Sequence, residues 1–172
     1  KKPEATAAAI DPDGWFHTGD IGYMDEHGYL YITDRKKDIL VLANGKNVAP
    51  QRIENLLRAS EYIQEAVVFG DGMSAPVALL VPDIERLKQY AHQQELDASD
   101  LRSLLEHDLV QRLFRQEIEK VNRELADFER IKAFRLLPHP FTIESGELTP
   151  TLKVKRRVVA QKYADLIQAM AR

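Results

Sequence analysis

Short apolar runs that alternate with amphipathic segments predict a chain of interleaved strands and helices. Aromatic and β-branched residues at 21–24 and 29–32 flank a turn of sequence Asp-Glu-His-Gly, a pattern typical of a β-hairpin. Similar runs predict further strands at 39–42, 63–69, 76–81 and 131–137. The interleaving favours an α+β fold, in which a short central sheet is flanked by helices and preceded by an N-terminal β-hairpin segment.

Helices are predicted where apolar residues recur at helical spacing. Pro50 stands where the first residue of a helix is preferred, because its missing N–H would have no partner there anyway. Two amphipathic helices are predicted within residues 83–129, and Ser99 is the expected N-cap of the second. The last helix is predicted to begin near Lys153.

The composition limits the classes of protein to which this chain can belong. The chain has 172 residues and a formal net charge of −3, from 24 Lys and Arg against 27 Asp and Glu. That length suggests one domain, or a domain with a fragment of another, and the charge argues against a dedicated nucleic-acid binder. The absence of cysteine excludes a disulfide framework and fits a reducing compartment. Because the sequence begins without Met or a signal peptide, we expect a domain cut from a longer protein.

The sequence lacks the motifs of several common chemistries. Its histidines share no spacing that would place two of them beside a carboxylate on one helix, so no metal site is predicted. It has no Gly-x-Ser-x-Gly nucleophile elbow and no glycine-rich phosphate loop. If the chain contacts a nucleotide, we therefore expect residues outside it to provide most of the binding site.

The segment Gly-Trp-Phe-His-Thr-Gly-Asp at 14–20 places a carboxylate at the start of a predicted strand. Asp20 follows a glycine directly, so its side chain can stand at the strand edge and accept bonds from two adjacent hydroxyls, as on a ribose. The alternative is that Asp20 only ties down a turn through its own backbone. Spacing alone favours that alternative.

Two charged segments are also candidates for function. Residues 34–38 lie between strands, where Arg35 offers a planar fork for phosphate, and the segment is either a solvated connector or a hinge. Residues 153–157 hold four cations at a predicted helix start, although the helix dipole has its positive end there. They form either a solvated run of charges or weak anion-binding patch, or a flexible loop that delivers one lysine into an active site elsewhere.

Taken in order, these segments resemble the C-terminal part of the adenylate-forming enzyme superfamily. That superfamily includes acyl-CoA synthetases, firefly luciferase and the adenylation domains of peptide synthetases. Residues 14–20 look like its ribose-binding motif, residues 34–38 like its hinge motif, and residues 45–54 like the loop and helix that follow. The closing segment at 147–157 and the helical insertion at about 83–129 are similar to those of long-chain fatty acid–CoA ligases.

The resemblance implies a division of the chain and a reaction. Residues 1–34 would be the tail end of a large N-terminal adenylation domain, and residues 35–172 a mobile C-terminal lid. The whole enzyme would be an acid–thiol ligase that activates a fatty acid as acyl-AMP with ATP and then transfers it to CoA. Mg²⁺ would be bound mainly by the missing domain, so the isolated fragment is expected to be inactive. A cytoplasmic location with peripheral membrane association, and no nucleic-acid partner, are expected.

Residue roles follow from the positions that match the motifs. The resemblance implies that Asp20 binds the ribose hydroxyls and that Arg35 lies beside the ribose and phosphate of the nucleotide. Lys37 occupies the hinge position. Gly45 matches a glycine that approaches the pantetheine arm of CoA, where the missing side chain lets the cofactor pass.

The closing segment carries the catalytic candidate. The resemblance implies that Lys153 is the adenylation lysine, with Lys155 as the second choice. A positioned cation stabilises the charge that shifts among phosphate oxygens during such a reaction. Two other functions stay open: a fatty acid–AMP ligase that loads a carrier protein, and a noncatalytic module that binds an anionic partner through residues 153–157.

Overall fold

The computed structural model describes residues 2–171 and divides into two compact units, one that ends at Ile39 and one that begins at Leu40. The domain boundary expected from the sequence, between residues 34 and 35, lies close to this division. The assignment of the two parts to different domains stays a prediction. Among the described residues, no helix is both long and apolar enough to cross a membrane.

The first unit is built on the β-hairpin that the sequence predicts. Its elements are α1 (Pro3–Ala9), which the sequence analysis missed, the antiparallel strands β1 (Asp20–Met24) and β2 (Leu30–Arg35), and a 3-10 turn (Lys36–Asp38). Asp25 shapes the connection, because its Oδ1 accepts bonds from the N–H groups of His27 and Tyr29. Among the described residues of this unit only Asp34 is buried.

The second unit contains the remaining strands and helices. In chain order they are β3 (Leu40–Val41), β4 (Asn47–Val48), α2 (Pro50–Arg58), β5 (Ile63–Phe69), β6 (Val77–Pro82), α3 (Ile84–Gln93), α4 (Leu101–Glu106), α5 (Asp108–Asn122), a 3-10 turn (Asp127–Glu129), β7 (Ala133–Leu136), α6 (Arg156–Lys162) and α7 (Ala164–Ala171). Strands β3 and β4 form an antiparallel ribbon. In the main sheet β6 is central, antiparallel to β5 and parallel to β7.

The main sheet is apolar on both faces. Alternate residues of its strands point to opposite sides, so Val68 and Leu80 join one core cluster with residues of α2 to α5. Val67 and Leu79 join a second cluster with residues of α6 and α7. Complete burial of such aliphatic side chains stabilises the fold by about 1.5–3 kcal/mol each. The predicted α+β architecture, a short sheet flanked by helices, is therefore confirmed.

Three details of the helix prediction are wrong. Residues 83–129 contain three helices rather than two, because His107 leaves helical geometry and caps α5 by accepting a bond from a backbone N–H. The N-cap of α4 is Asp100 rather than Ser99, since its carboxylate accepts bonds from two N–H groups of the first turn. The last helix begins at Arg156 and is interrupted at Tyr163, so residue 153 lies outside it.

A largely buried ion pair joins α6 to the opposite side of the sheet. Arg156 contacts Glu54 through both of its Nη atoms, with Nη1–Oε1 at 2.7 Å and Nη2–Oε2 at 3.0 Å. Nη1 also donates to the carbonyl of Val68 at 2.5 Å. Burial raises the pKa of Glu54, and the charge of Arg156 offsets part of that shift. One of the four cations at 153–157 is thus structural.

Replacement of Arg156 tests how much this ion pair contributes to the stability of the fold. In the purified chain, Arg156→Met should lower the free energy of unfolding by about 3–5 kcal/mol, because it leaves a buried carboxylate without its cation. The matched control is Arg157→Met, at the exposed next position, which should change stability by less than about 0.5 kcal/mol. Urea denaturation measures both, and equal losses would contradict the structural role of Arg156.

Candidate functional site

Asp20 and Arg35 lie side by side at the open end of the β1–β2 hairpin. They are register partners, and Arg35 Nε lies 2.6 Å from Asp20 Oδ1. The turn before β1 is held by Thr18, whose Oγ1 accepts a bond from the Asp20 N–H. The side chains of Asp20 and Arg35 keep 26% and 54% of their surface exposed. The structure therefore brings together the two residues that the sequence assigned to ribose and phosphate, and those roles stay predictions.

The predicted hinge residue lies just before the division between the two units. Lys37 is exposed in the 3-10 turn that follows β2. The neighbouring Asp34 is buried, and its Oδ1 accepts a bond of 2.6 Å from the Arg35 N–H. An exposed turn with little packing beside a fixed strand end is compatible with a hinge. The role of Lys37 stays a prediction.

Gly45 forms the tip of the β3–β4 ribbon. Its N–H donates to the carbonyl of Leu42 at 2.8 Å, and its φ of +77° lies in the left-handed region. A Cβ built at this position would meet nothing within 4 Å. Backbone conformation is thus one reason for glycine here, and the open space also fits the close approach of a cofactor. The next residue, Lys46, places its Nζ 5.6 Å from the centre of the Phe128 ring, a contact that no sequence signal indicated.

Lys153 lies on a short hairpin rather than in a helix. Leu148 and Val154 form its bridge, and its base is closed by a 2.7 Å bond from the Lys155 N–H to the Glu147 carbonyl. The backbone of Lys153 is bonded twice to Thr149, from its own N–H to Oγ1 at 2.9 Å and from the Thr149 N–H at 2.8 Å. Lys153 therefore stands on a hydrogen-bonded hairpin, and the delivery of a lysine by this segment into an active site elsewhere stays a prediction.

The two candidate lysines are alike in exposure. Val154 packs against the second core cluster, and the side chains of Lys153 and Lys155 on either side of it are exposed. Lys155 is also the residue directly before α6. Neither lysine is confined to the interior, so either ammonium group is available to a pocket outside the unit.

Glu147 and Lys162 are residues that the sequence analysis did not pair. Glu147 is only 1% exposed, yet Lys162 Nζ lies 2.5 Å from its Oε1 and Ser145 Oγ donates to its Oε2. Burial raises the pKa of Glu147, but the bonds from Lys162 and Ser145 outweigh it and hold that pKa below its usual value. The bond to Glu147 in turn raises the pKa of Lys162.

The part of the chain that the structure describes contains no ready-made site for a magnesium ion. Among residues 2–171, no group of three acidic or histidine side chains is arranged to hold a metal ion. These residues therefore offer no set of side chains that would hold Mg²⁺ by themselves.

The fold, with these segments in this order, is that of the C-terminal part of adenylate-forming enzymes. The A domain of a carboxylic acid reductase from Segniliparus rugosus, solved with AMP and a co-purified carboxylic acid, matches with a TM-score of 0.79. That match has 28% identity and covers 99% of this chain and 25% of that chain. A fatty acyl CoA synthetase from Mycobacterium tuberculosis matches with a TM-score of 0.53 and 28% identity, over 95% of this chain and 27% of that chain.

The chain belongs to the family of AMP-binding enzyme C-terminal domains, whose sequence profile matches residues 37–172. Long-chain-fatty-acid–CoA ligase FadD15 of Mycobacterium tuberculosis is 42% identical to it over 174 residues. That alignment covers 99% of this chain and 28% of the ligase. The resemblance that the motifs indicated is confirmed, and the chain spans little more than a quarter of this relative.

Two substitutions of Gly45 test whether its backbone conformation or the space around it requires glycine. Gly45→Ala in the purified chain is expected to lower the free energy of unfolding by about 1 kcal/mol, because a Cβ is strained at this positive φ. Gly45→Asn is expected to cost less, since asparagine adopts the left-handed conformation more readily. Urea denaturation compares the two. A greater loss for asparagine than for alanine would show that space, rather than conformation, demands glycine.

Proposed function

We propose that residues 35–172 are the mobile lid of a long-chain fatty acid–CoA ligase and that residues 1–34 are the end of its large N-terminal domain. The enzyme activates a fatty acid as acyl-AMP with ATP and then transfers the acyl group to the thiol of CoA. The 42% identity to a long-chain fatty acid–CoA ligase over 99% of the chain supports this substrate class. In this proposal a larger N-terminal domain holds the acid pocket. A cytoplasmic location and peripheral membrane association stay predictions.

The observation that carries the proposal is the exposed Lys153 side chain on a backbone fixed by hydrogen bonds. A cation held in this way reaches beyond its own unit without a further loss of backbone conformational entropy. During adenylation Lys153 lies near the reacting oxygens and stabilises the negative charge that develops as pyrophosphate leaves. Lys155 remains the second candidate because it is also exposed.

The first unit supplies the nucleotide contacts in this proposal. Asp20 accepts bonds from the ribose hydroxyls, and Arg35 orients that carboxylate while it faces the phosphate. Large apolar side chains of the unit are exposed, including Trp15 at 74% and Tyr29 at 68%. Such a surface is expected where further protein covers it. It supports the prediction that residues 1–34 complete a larger domain.

The lid serves both half-reactions by turning about Lys37. After adenylation the rotation withdraws Lys153 and brings the turn at Gly45 to the path of the incoming thiol. The exposed 3-10 turn at Lys37 supports this assignment, because few contacts resist a change in its torsions.

A second candidate function is a fatty acid–AMP ligase that passes the acyl group to a carrier protein. The observation behind it is the similarity to the A-PCP didomain of the Segniliparus rugosus carboxylic acid reductase, which matches with a TM-score of 0.78 and 28% identity. Thioester formation by the full-length protein with free CoA and, separately, with a carrier protein distinguishes the two, because the CoA ligase accepts free CoA and the alternative accepts only a carrier. A noncatalytic anion-binding module would have one exposed cation fewer in residues 153–157, because Arg156 is largely buried.

Lys153→Ala tests the catalytic assignment in the full-length protein. Adenylation, measured as pyrophosphate release, should slow by a factor on the order of 10²–10³. Thioester formation from supplied acyl-adenylate and CoA should persist, because that step does not use this cation. Lys155→Ala is the matched control and should leave both half-reactions near the rates of the unmodified protein. If Lys153→Ala slows both half-reactions equally, or if Lys155→Ala alone blocks adenylation, the assignment is wrong.

Lys37→Pro tests the hinge in the same two assays. Proline fixes φ, so one half-reaction should slow more than the other when the lid can no longer turn freely. Lys37→Ala removes the charge but keeps the torsional freedom, and it should leave both rates close to those of the unmodified protein. Equal slowing of the two half-reactions by proline would argue against a hinge at this residue.

A further inference from the structure

We propose that Glu147 and Lys162 are positioning residues, which hold the hairpin of Lys153 in the orientation that adenylation needs. This inference rests on the proposed function and assigns a task to a buried carboxylate and its partly exposed lysine, which lie outside the reacting groups. It concerns the support of Lys153 rather than its chemistry.

The pair ties the two ends of one segment together. Glu147 is the base residue of the hairpin, because its carbonyl accepts the 2.7 Å bond from the Lys155 N–H. Lys162 is the last residue of α6, the helix that follows the hairpin. The 2.5 Å contact from Lys162 Nζ to Glu147 Oε1 therefore joins the incoming strand of the hairpin to the far end of that helix.

The near end of α6 is fixed independently. Its first residue, Arg156, is held by Glu54 and by the carbonyl of Val68. The helix thus has one ion pair at each end, and the hairpin lies between them in sequence. Without the pair at Lys162, the incoming strand would keep its backbone ladder but lose its ionic link to the helix.

Both oxygens of the Glu147 carboxylate are bonded. Oε1 receives the ammonium of Lys162, and Oε2 receives the Ser145 hydroxyl, which itself lies 2.6 Å from Thr142 Oγ1. A buried carboxylate with complete partners is rigid, whereas one that loses its cation must move toward water or bind a proton. A carboxylate that moves toward water takes the hairpin base with it.

Displacement of the base would affect one half-reaction selectively. Misplacement of a catalytic group by about 1 Å can cost on the order of 100-fold in rate. In the proposed cycle Lys153 acts only in adenylation, so a misplaced hairpin slows that step and spares thioester formation. A loss of folded protein would instead lower both rates together.

The test compares two lysine–glutamate pairs in the full-length protein. Lys162→Met should slow adenylation by on the order of 10-fold to 100-fold and leave thioester formation from supplied acyl-adenylate unchanged. Lys162→Arg should restore most of the adenylation rate because it keeps a cation at Glu147. The control is Lys120→Met on α5, which breaks a lysine–glutamate contact of the same 2.5 Å length and should affect neither step.

A second variant distinguishes the positioning role from poor folding of Lys162→Met. Glu147→Gln combined with Lys162→Met leaves no lone buried charge, and it should show the same selective loss of adenylation. Hydrogen exchange at the amide of Lys155 should be faster in both variants than in the unmodified protein.

The positioning role would be overturned if Lys162→Met affected both half-reactions equally or affected neither. It would also be overturned if Lys120→Met showed the same selective loss of adenylation. The proposed function fails separately, through Lys153→Ala. If Lys153→Ala separates the half-reactions and Lys162→Met does not, only the positioning role is lost.

Discussion

The location of the candidate lysine depends on a largely buried bidentate ion pair between Arg156, three residues after it, and Glu54, which is distant in sequence. Arg156 and Glu54 leave solvent at a cost in desolvation, and that cost is offset because their contacts are paired and Val68 supplies both a carbonyl acceptor and an N–H donor. The pair fixes the start of α6 against α2 and β5. Since the Lys153 hairpin leads directly into α6, it is attached to a fixed point.

The cations of the basic segment 153–157 differ in burial and do not all serve one function. Arg156 points into the protein and serves stability, while Lys153, Lys155 and Arg157 are exposed. The unfavourable concentration of positive charge at the start of α6 is thereby reduced, because a buried carboxylate neutralises one member of the cluster. An exposed ammonium on a fixed hairpin is the combination that chemistry outside the unit requires.

The candidate residues belong to both compact units. Asp20, Arg35 and Lys37 lie in the first, and Gly45 and Lys153 lie on separate turns of the second. The first unit buries almost nothing of its own, whereas the second has two apolar clusters around a three-stranded sheet. A rigid second unit that carries its reactive group at a hairpin is suited to act as a body that moves as a whole.

The sequence by itself determined the elements whose signals are local. Turn residues between short β-branched runs specify the first hairpin, and Pro50 marks the start of α2, because these preferences act within a few residues. The pairing of Asp20 with Arg35 was not predicted, because the register of that hairpin shifts between Ile21 and Gly22. Tertiary structure alone decided that α6 begins at Arg156 and that Glu147 meets Lys162. Apolar periodicity continues across residues 153–156, and only the hairpin bonds and the distant Glu54 select where the helix starts. Ionic partners so far apart in sequence leave no local pattern, because their pairing is set by the packing of the sheet and helices between them.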